Sequence, residues 1–201
     1  MSVNIYTESV EKLIERLIKF PGVGRRSAER IVAYILGAPK EEIKSLSEAI
    51  SNVKENIRFC RICNNLSEQE LCRICQDAGR QKDMVCVVEE PGDVSAIEKT
   101  GNFKGVYHVL LGAIAPLDGK GPGDLKIDGL MERLKQNNII EVIIATDADT
   151  EGEITALYLT KLIKPLGVKL TRIGVGIPMG SNLDYADSLT LSKSLESRRE
   201  I

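Results

Sequence analysis

The chain has 201 residues, of which 43% are hydrophobic and 28% are charged, and its formal net charge is −2. This composition is typical of a soluble globular protein, and no apolar run approaches the ~18 residues of a membrane span, which excludes an integral membrane protein. The charge is uneven, because residues 1–40 carry seven Lys/Arg against four Glu, whereas residues 76–201 carry fifteen against nineteen acidic residues. Since the N-terminus is acidic and amphipathic and unlike a secretion signal, we expect a cytoplasmic protein whose first segment is the part suited to phosphate.

Three helices are predicted in the N-terminal region, residues 1–58. Apolar residues recur at helical spacing over residues 8–20, then in a second helix that stops at Gly37, and again over residues 41–58. The segment FPGVG separates the first two helices, because Pro21 and the two glycines cannot continue a helix.

The turn between the first two helices is a candidate phosphate site. Gly22 and Gly24 have no Cβ, so the backbone can approach a phosphate closely, and the following helix N-terminus offers free N–H groups. Arg25 and Arg26 add positive charge at a helix start. Because the helix dipole disfavours cations there, two arginines at this position indicate a function such as phosphate binding. Because such contacts reach the nucleic-acid backbone and not the bases, binding is predicted to be independent of sequence. The alternative is a plain helical hairpin whose glycines only make the turn.

Four cysteines in residues 59–76 predict a metal site. Cys60, Cys63, Cys72 and Cys75 form C-x2-C-x8-C-x2-C, in which two tight turns aim four sulfurs at one ion. The alternative, a pair of disulfides, is disfavoured in a chain without a secretion signal, because the cytosol keeps thiols reduced. Four thiolates close the coordination shell of zinc, so the spacing predicts one structural zinc per chain. Cys86, alone in an apolar strand, is expected to be a core residue.

Residues 80–175 alternate between apolar strands and helices. This order predicts an α/β domain with a mostly parallel sheet that is covered on both faces, within a multi-part α+β chain. The predicted strands and helices are strand 84–90, helix 92–100, strand 106–111, helix 128–137, strand 139–146, helix 152–164 and strand 168–174. His108 lies in the second of these strands and is expected to be a satisfied core histidine. The tail 176–201 is polar with two small apolar clusters, and its pattern assigns it no role.

Carboxylates follow two of these strands. Glu89 ends the first strand, and Asp147, Asp149 and Glu151 come directly after the third in the stretch ATDADTEGE. Ligands bind at the carboxyl ends of parallel strands, so these side chains converge if the two strands are neighbours. Clustered carboxylates repel one another and attract a cation or a basic partner. Either a weak magnesium site or an acidic protein-binding face is consistent with this pattern.

Two of these regions resemble known domains. LIKFPGVGRRSAERIV, residues 17–32, resembles the helix-hairpin-helix motif of DNA-binding proteins. VVEEPGDV with DADTEG resembles the Toprim domain of topoisomerases, primases and some nucleases, whose catalytic members hold magnesium with an acidic triad. On that resemblance Glu89 takes the place of the glutamate, and Asp147 and Asp149 take the place of the D-x-D pair.

The order of parts, with the ending GVGIPMGSNLDYADSLTLSKSLESRR, resembles the RecR family of recombination mediators over essentially the whole chain. The resemblance implies a bacterial, nucleoid-associated repair protein that is not an enzyme and binds single- and double-stranded DNA without sequence specificity. It further implies that RecO and RecF are partners in loading RecA on single-stranded DNA. A ring-like homotetramer, with subunit contacts from the tail 176–201, is also implied.

A magnesium-dependent nuclease or strand-passage enzyme is the main alternative. Strand passage needs a tyrosine on a separate domain, and no segment is left for such a domain. A nuclease needs a general base or a second metal, and the one histidine lies on the sheet. A zinc-stabilised protein-binding module without a nucleic-acid role would leave Arg25 and Arg26 unexplained.

Overall fold

The structure, a computed structural model, describes residues 6–136, 138–174 and 176–198. It divides the chain into two compact units, residues 1–56 and residues 57–201. None of the helices in these described ranges combines the length and hydropathy that crossing a bilayer requires.

The first unit is helical, as predicted. Its helices are α1 (Glu8–Leu17), α2 (Arg25–Gly37) and α3 (Lys40–Asn56). Helices α1 and α2 pack through the buried side chains of Ile14, Ala28 and Val32, whereas no residue of α3 is buried. Helix α1 ends three residues earlier than predicted, because Phe20 N–H already turns back to Leu17 O at 3.0 Å ahead of the proline.

The second unit begins with a small cysteine-bearing motif. It consists of the antiparallel strands β1 (Arg58–Phe59) and β2 (Leu66–Ser67), followed by the one-turn helix α4 (Arg73–Gln76). These elements are too short to show a hydrophobic period, so the sequence pattern did not predict them.

A four-stranded parallel sheet forms the rest of the second unit and confirms the predicted fold class. Its strands and helices, in chain order, are β3 (Gln81–Val88), α5 (Pro91–Glu98), β4 (Gly105–Val109), α6 (Ile127–Gln136), β5 (Glu141–Ile144), α7 (Thr150–Ile163) and β6 (Lys169–Arg172). The strand order is β4-β3-β5-β6, and all three pairings are parallel. The last residue of the predicted helix 128–137 lies outside the described residues.

The core lies on both faces of this sheet. Val85, Val87 and Ile144 are buried on one side with Leu130 of α6 and Leu159 of α7. Because both faces are covered, the strands read as continuous apolar runs and not as alternating ones. On the other side Cys86 packs in a smaller cluster, as expected, and burial raises the pKa of its thiol to about 12.

His108 is buried in the sheet, at 1% exposure. Its Nε2 lies 2.8 Å from Lys126 O, which makes Nε2 the protonated nitrogen because a carbonyl only accepts. Burial lowers the pKa of His108 to about 4. Within the described residues its Nδ1 has no hydrogen-bond partner, so the expectation of a fully satisfied histidine is only half met.

The tail contains a helix that the sequence pattern did not predict, α8 (Ser188–Glu196). Asp187 caps it by accepting from Leu189 N and Thr190 N at 3.0 and 2.9 Å. None of its residues is buried.

Candidate functional site

The four predicted metal ligands lie together. Their side chains are 1–8% exposed, and the four Sγ atoms lie within 4.8 Å of one another. The Cys63 and Cys72 Sγ atoms are 3.5 Å apart, close to the ~3.8 Å edge of a tetrahedron with Zn–S bonds of about 2.3 Å. The donor set and its spacing therefore fit a closed tetrathiolate zinc site.

Two tight turns build this cluster. In the first, Asn64 adopts a left-handed φ of 58°, and its N–H donates to Cys60 O at 2.9 Å. In the second, Gln76 N–H donates to Cys72 O at 3.0 Å and closes the single turn of α4. Each turn brings the two cysteines of one C-x2-C pair together; the first lies in the loop between β1 and β2, and the second follows β2.

The sulfurs of the cluster hold their protons unequally. The hydrogen bond between the sulfurs of Cys63 and Cys72 lowers the pKa of Cys72 and raises the pKa of Cys63. Zinc binds cysteine as the thiolate, so metal binding releases the protons that these sulfurs hold.

The helix-hairpin turn has the backbone of an anion site. Gly22 has a φ of +75°, which favours glycine. Gly24 precedes α2, and a Cβ built on it would meet nothing within 4 Å, so the open space in front of α2 is free for a ligand. Helical hydrogen bonding begins with Ala28 N–H to Gly24 O at 3.0 Å, which leaves the preceding N–H groups of the first turn outside the helix pattern.

The arginines at this turn differ in their contacts. Arg25 is ion-paired with Glu11 at 2.9 Å and with Glu29 at 3.2 Å, and its pKa is raised chiefly by the hydrogen bond with Glu11. Arg26 and Arg30 are exposed and have no ion pair among the described residues. They are four residues apart and therefore lie on the same face of α2. Sequence reasoning missed Arg30, although this spacing was visible.

The acidic residues meet at one edge of the sheet. Strands β3 and β5 are parallel neighbours, and Glu89 Oε1 accepts a hydrogen bond from Asp147 N at 3.0 Å. Asp149 caps α7 by accepting from Gly152 N at 2.8 Å. Glu151 is exposed in the first turn of α7. The structure thus brings Glu89 beside the loop that carries the other three carboxylates.

Sequence reasoning missed two residues that shape this loop. A Cβ at Gly152 would lie 2.1 Å from Asp147 O, so only glycine fits at that position. Arg172 binds Glu153 at 2.8 Å and also donates to Thr146 Oγ1 at 3.0 Å. Gly152 belongs to the stretch DADTEG, so the sequence already offered a signal for it. Arg172 is distant in the sequence and reaches the loop because β6 pairs with β5.

Ionising all the carboxylates at this edge of the sheet at the same time is electrostatically unfavourable. Glu89 is 8% exposed, and burial, followed by the charges of Asp147 and Asp149, raises its pKa. Of the described residues, the four cysteines are the one group of three or more ligand-type side chains whose donor atoms lie close enough together for a common ion.

Comparison with known proteins shows a matching order of parts. Profiles of four families match successive segments: the RecR helix-hairpin-helix at residues 10–54, the RecR four-cysteine zinc finger at 57–77, the Toprim domain at 83–174, and the RecR C-terminal region at 176–199. The Recombination protein RecR of Acidothermus cellulolyticus is 52% identical over 197 residues, which are 98% of this chain and 99% of that protein. The chain belongs to the RecR family.

Two further relatives agree. The Recombination protein RecR of Syntrophotalea carbinolica is 49% identical over 98% of each chain, and that of Thermobifida fusca is 48% identical over 98% of this chain and 99% of its own. The predicted family is therefore confirmed, and membership supports a role in recombinational repair. The matching four-cysteine zinc finger, together with the clustered sulfurs, confirms zinc as the structural metal. The helix-hairpin-helix of a RecR protein indicates DNA binding.

Proposed function

We propose that this protein is a non-enzymatic recombination mediator that binds single- and double-stranded DNA without sequence specificity. In this proposal it acts in the bacterial cytoplasm, at the nucleoid during repair, and works with RecO and RecF to load RecA on single-stranded DNA. The observation that carries the proposal is the start of α2, where a glycine-flanked helix N-terminus stands beside exposed arginines.

The first turn of α2 supports phosphate binding through its charges. This turn contains no acidic residue, whereas α1 has Glu8 and Glu11 in its first turn and α3 has Glu41 and Glu42. A helix N-terminus without a carboxylate keeps its partial positive charge for an external anion. In the proposal the glycine turn allows close approach, and two exposed arginines of α2, at positions 26 and 30, supply the full charges.

Arg25 stands next to Arg26 at the start of α2, but we propose that it also holds α1 and α2 together. Its ion pairs with Glu11 of α1 and Glu29 of α2 join the two helices. A phosphate that contacts Arg25 would compete with two carboxylates. We therefore propose that Arg26 and Arg30 contribute more to DNA affinity than Arg25 does.

The DNA contact is tested by measuring affinity against salt concentration for Arg25→Ala, Arg26→Ala, Arg30→Ala and the parent. Each lost phosphate contact is expected to reduce the salt slope by about 0.9 for duplex DNA and about 0.7 for single strands, equally for unrelated sequences. Lys12→Ala removes an exposed cation of the same unit that is already paired with Glu8, so it serves as the control. Parental binding by a variant that lacks both Arg26 and Arg30 would place the DNA site elsewhere.

We propose that the acidic edge is a docking face for a basic partner, RecO, and binds magnesium weakly at most. Two of its carboxylates already accept hydrogen bonds from the backbone: Glu89 from Asp147 N–H, and Asp149, the cap of α7, from Gly152 N–H. Magnesium needs near-octahedral geometry and competes poorly for ligands that are held in this way. Lysine or arginine side chains of a partner relieve the same repulsion without demanding such geometry.

The docking face is tested with Asp147→Asn combined with Asp149→Asn. Asparagine caps a helix about as well as aspartate, so this pair removes charge while keeping the fold. RecO binding is expected to weaken and to lose part of its salt dependence, while DNA binding stays at the parental level. Magnesium-dependent DNA cleavage by the parent that disappears in this variant would favour the nuclease alternative instead.

The position of the one histidine supports a protein without hydrolytic activity. His108 is buried on β4 with its pKa lowered. A general base must reach solvent or substrate, and His108 is held among core residues instead.

We propose that the protein is a homotetramer closed into a ring. Helix α3 and the tail expose apolar side chains: Leu46, Ile50 and Val53 on α3, and Met179, Tyr185, Leu189 and Leu195 in the tail. Apolar faces of this kind mark protein–protein contacts. Two different self-complementary contacts per chain, one from α3 and one from the tail, close a ring of four copies.

A further inference from the structure

Arg133 of α6 is a half-buried charged side chain in the second unit. Its Nη1 donates to Tyr107 O, on strand β4, at 2.7 Å. Burial lowers the pKa of Arg133, and the negative charge of the four cysteine sulfurs, with Cys75 contributing most, acts in the opposite direction. A guanidinium in such a place requires compensating negative charge nearby.

The outer edge of β4 brings Arg133 and the cysteine motif side by side. Strand β4 is at the end of the sheet, so its outward backbone groups have no strand partner in the part of the chain that the structure describes. The first cysteine turn covers two of them: Val109 N–H donates to Cys63 O at 2.8 Å, and Asn64 Nδ2 donates to Val109 O at 3.1 Å. Arg133 covers the carbonyl of Tyr107, two residues earlier, which is about 6.6 Å along the same edge.

A cavity is lined both by Arg133 and by residues of the cysteine motif. Its volume is about 370 Å³, and Cys75, Arg133, His108 and Arg61 are among its lining residues. Arg133 and Cys75, one cysteine of the second pair, therefore line the same small space between the cysteine motif and the sheet.

The charge of the zinc site requires a neighbour of this kind. Zinc with four thiolates carries a net charge of −2, and these sulfurs belong to side chains that are 1–8% exposed. Burying such a charge without compensation is costly. The other cations that line the cavity, Arg61, Lys82 and Lys126, are all exposed, and Arg61 is already paired with Glu70 at 2.9 Å.

We infer that Arg133 is the counter-charge that the Toprim domain contributes to the tetrathiolate zinc centre. It is a positioning residue and not a ligand: it stabilises the charged sulfurs while its Nη1 holds the edge of β4. The inference does not depend on the proposed DNA or partner contacts. It explains why a half-buried arginine stands at this position of α6, and it links zinc occupancy to the packing of the cysteine motif on the sheet.

The test compares zinc retention in the full-length protein. Arg133→Gln removes the charge but keeps an N–H donor for Tyr107 O, and Arg133→Lys keeps the charge. Lys135→Gln changes an exposed cation of the same helix and is the control. Zinc affinity by chelator competition is expected to fall about 10- to 100-fold in Arg133→Gln, the range known for outer-shell partners of metal ligands. Arg133→Lys and Lys135→Gln are expected to stay within about threefold of the parent on that scale.

Replacing zinc with cobalt distinguishes the charge of Arg133 from its hydrogen bond to Tyr107 O. Removing a positive charge near the sulfurs makes their electrons easier to transfer, so the sulfur-to-cobalt absorption band is expected to move to lower energy in Arg133→Gln and to stay in place in Arg133→Lys. A role confined to bracing Tyr107 would leave the band unmoved in both. Parental zinc affinity in Arg133→Gln overturns the inference. If Arg133→Gln does not fold, Arg133→Lys decides: retention of zinc supports the counter-charge, and a tenfold loss overturns it.

Discussion

Cys63 lies in the densest part of the zinc cluster, 3.5 Å from the sulfur of Cys72. Replacing it with serine exchanges a thiolate for a hydroxyl that stays protonated and binds zinc poorly. Structural zinc contributes folding free energy directly, because the unfolded chain does not hold the ligands together.

We therefore predict that Cys63→Ser loses its zinc, about one ion per chain in the parent, and several kcal/mol of unfolding free energy, on the order of 3 or more. Native mass spectrometry and urea denaturation measure the two effects. Cys86→Ser is the matched control, because Cys86 is equally buried but lies outside the cluster. It is expected to keep its zinc and to lose about 1–3 kcal/mol for a buried hydroxyl. A zinc-free parent, or disulfides in freshly reduced protein, contradicts the assignment.

Glu89 is a residue whose ionisation opposes folding. Its pKa is raised in the folded protein, chiefly by burial, so the charged form is less stable there than in the unfolded chain. Below the unfolded pKa of about 4.3 both states are protonated and the group contributes no difference. As the pH rises above the unfolded pKa, the unfolded chain ionises first and the folded state loses stability, and this loss is complete once the pH has passed the folded pKa.

Glu89→Gln is therefore predicted to raise the melting temperature at pH 7 and to leave it unchanged below about pH 4. Glutamine retains an oxygen that can accept the N–H of Asp147. Thermal unfolding followed by circular dichroism over this pH range is the measurement, and the same change at the exposed neighbour Glu90 is the control. A variant that is less stable at pH 7 than at pH 4, relative to the parent, contradicts the direction of the shift.

At the scale of the element, hydrogen bonds at the first residues of α7 hold the start of this helix to the preceding loop. Asp149 accepts Gly152 N–H at 2.8 Å, and Thr146 Oγ1 donates to Gly152 O at 2.8 Å, so the loop and the helix start are tied together. The loop also passes so close to the helix that position 152 has no room for a Cβ. The acidic edge thus has a fixed shape before any partner or ion binds.

The cap and the charge of Asp149 can be separated by two variants. Asp149→Ala is predicted to cost about 0.5–2 kcal/mol of unfolding free energy because the first turn of α7 loses its acceptor. Asp149→Asn keeps the acceptor and is predicted to unfold like the parent within a few tenths of a kcal/mol. Urea denaturation of both variants measures this. Equal destabilisation of the two would mean that the charge, and not the cap, supports the helix.

The cysteine motif acts as a cover for a sheet edge. An unpaired strand edge attracts other chains, and here the turn at Cys63 and Asn64 hydrogen-bonds the outer side of Val109. The motif is thus held by the zinc from within and by β4 from outside. This is the physical reason why its loss is expected to affect the sheet as well as the finger.

At the scale of the whole molecule, apolar surface is exposed on α3 and on α8. Ile50 of α3 is 61% exposed, and Leu189 of α8 is 68% exposed. Side chains of this kind at helical spacing normally pack against another element, and none of the residues of α3 or α8 is buried within the chain. The proposed ring uses these two surfaces as its two subunit contacts.

Light scattering after size exclusion tests the ring. The parent is predicted to have four times the chain mass of 22.1 kDa. Ile50→Glu and Leu189→Glu should each give dimers, because one contact survives, and the double variant should give monomers. Ser51→Glu places the same charge on another face of α3 and is the control. A monomeric parent, or tetramers in both single variants, rules out a ring with two contacts.

Much of the fold and of the site could be predicted because the relevant signals are local. A spacing of two residues between cysteines already determines a metal-binding turn, and continuous apolar runs such as VCVV at residues 85–88 already indicate a strand buried on both faces. Elements of two to four residues around the cysteines, and α8 in the polar tail, were missed because they have too few apolar residues to show a period. The DNA contacts and the role of the acidic edge remain predictions.

The sequence by itself determined the order of parts, the zinc ligands, the glycine turn before α2 and the family. Each of these depends on residue types at short, regular separations, which the chain carries regardless of how it packs. Only the tertiary structure decided that β3 lies between β4 and β5, that the ion pair with Glu11 goes to Arg25, and that Arg133 lies against the cysteine motif. These features join residues that are far apart in the chain, and the pairing of such distant residues is set by the sum of core packing, strand order and buried charge, which no local pattern encodes.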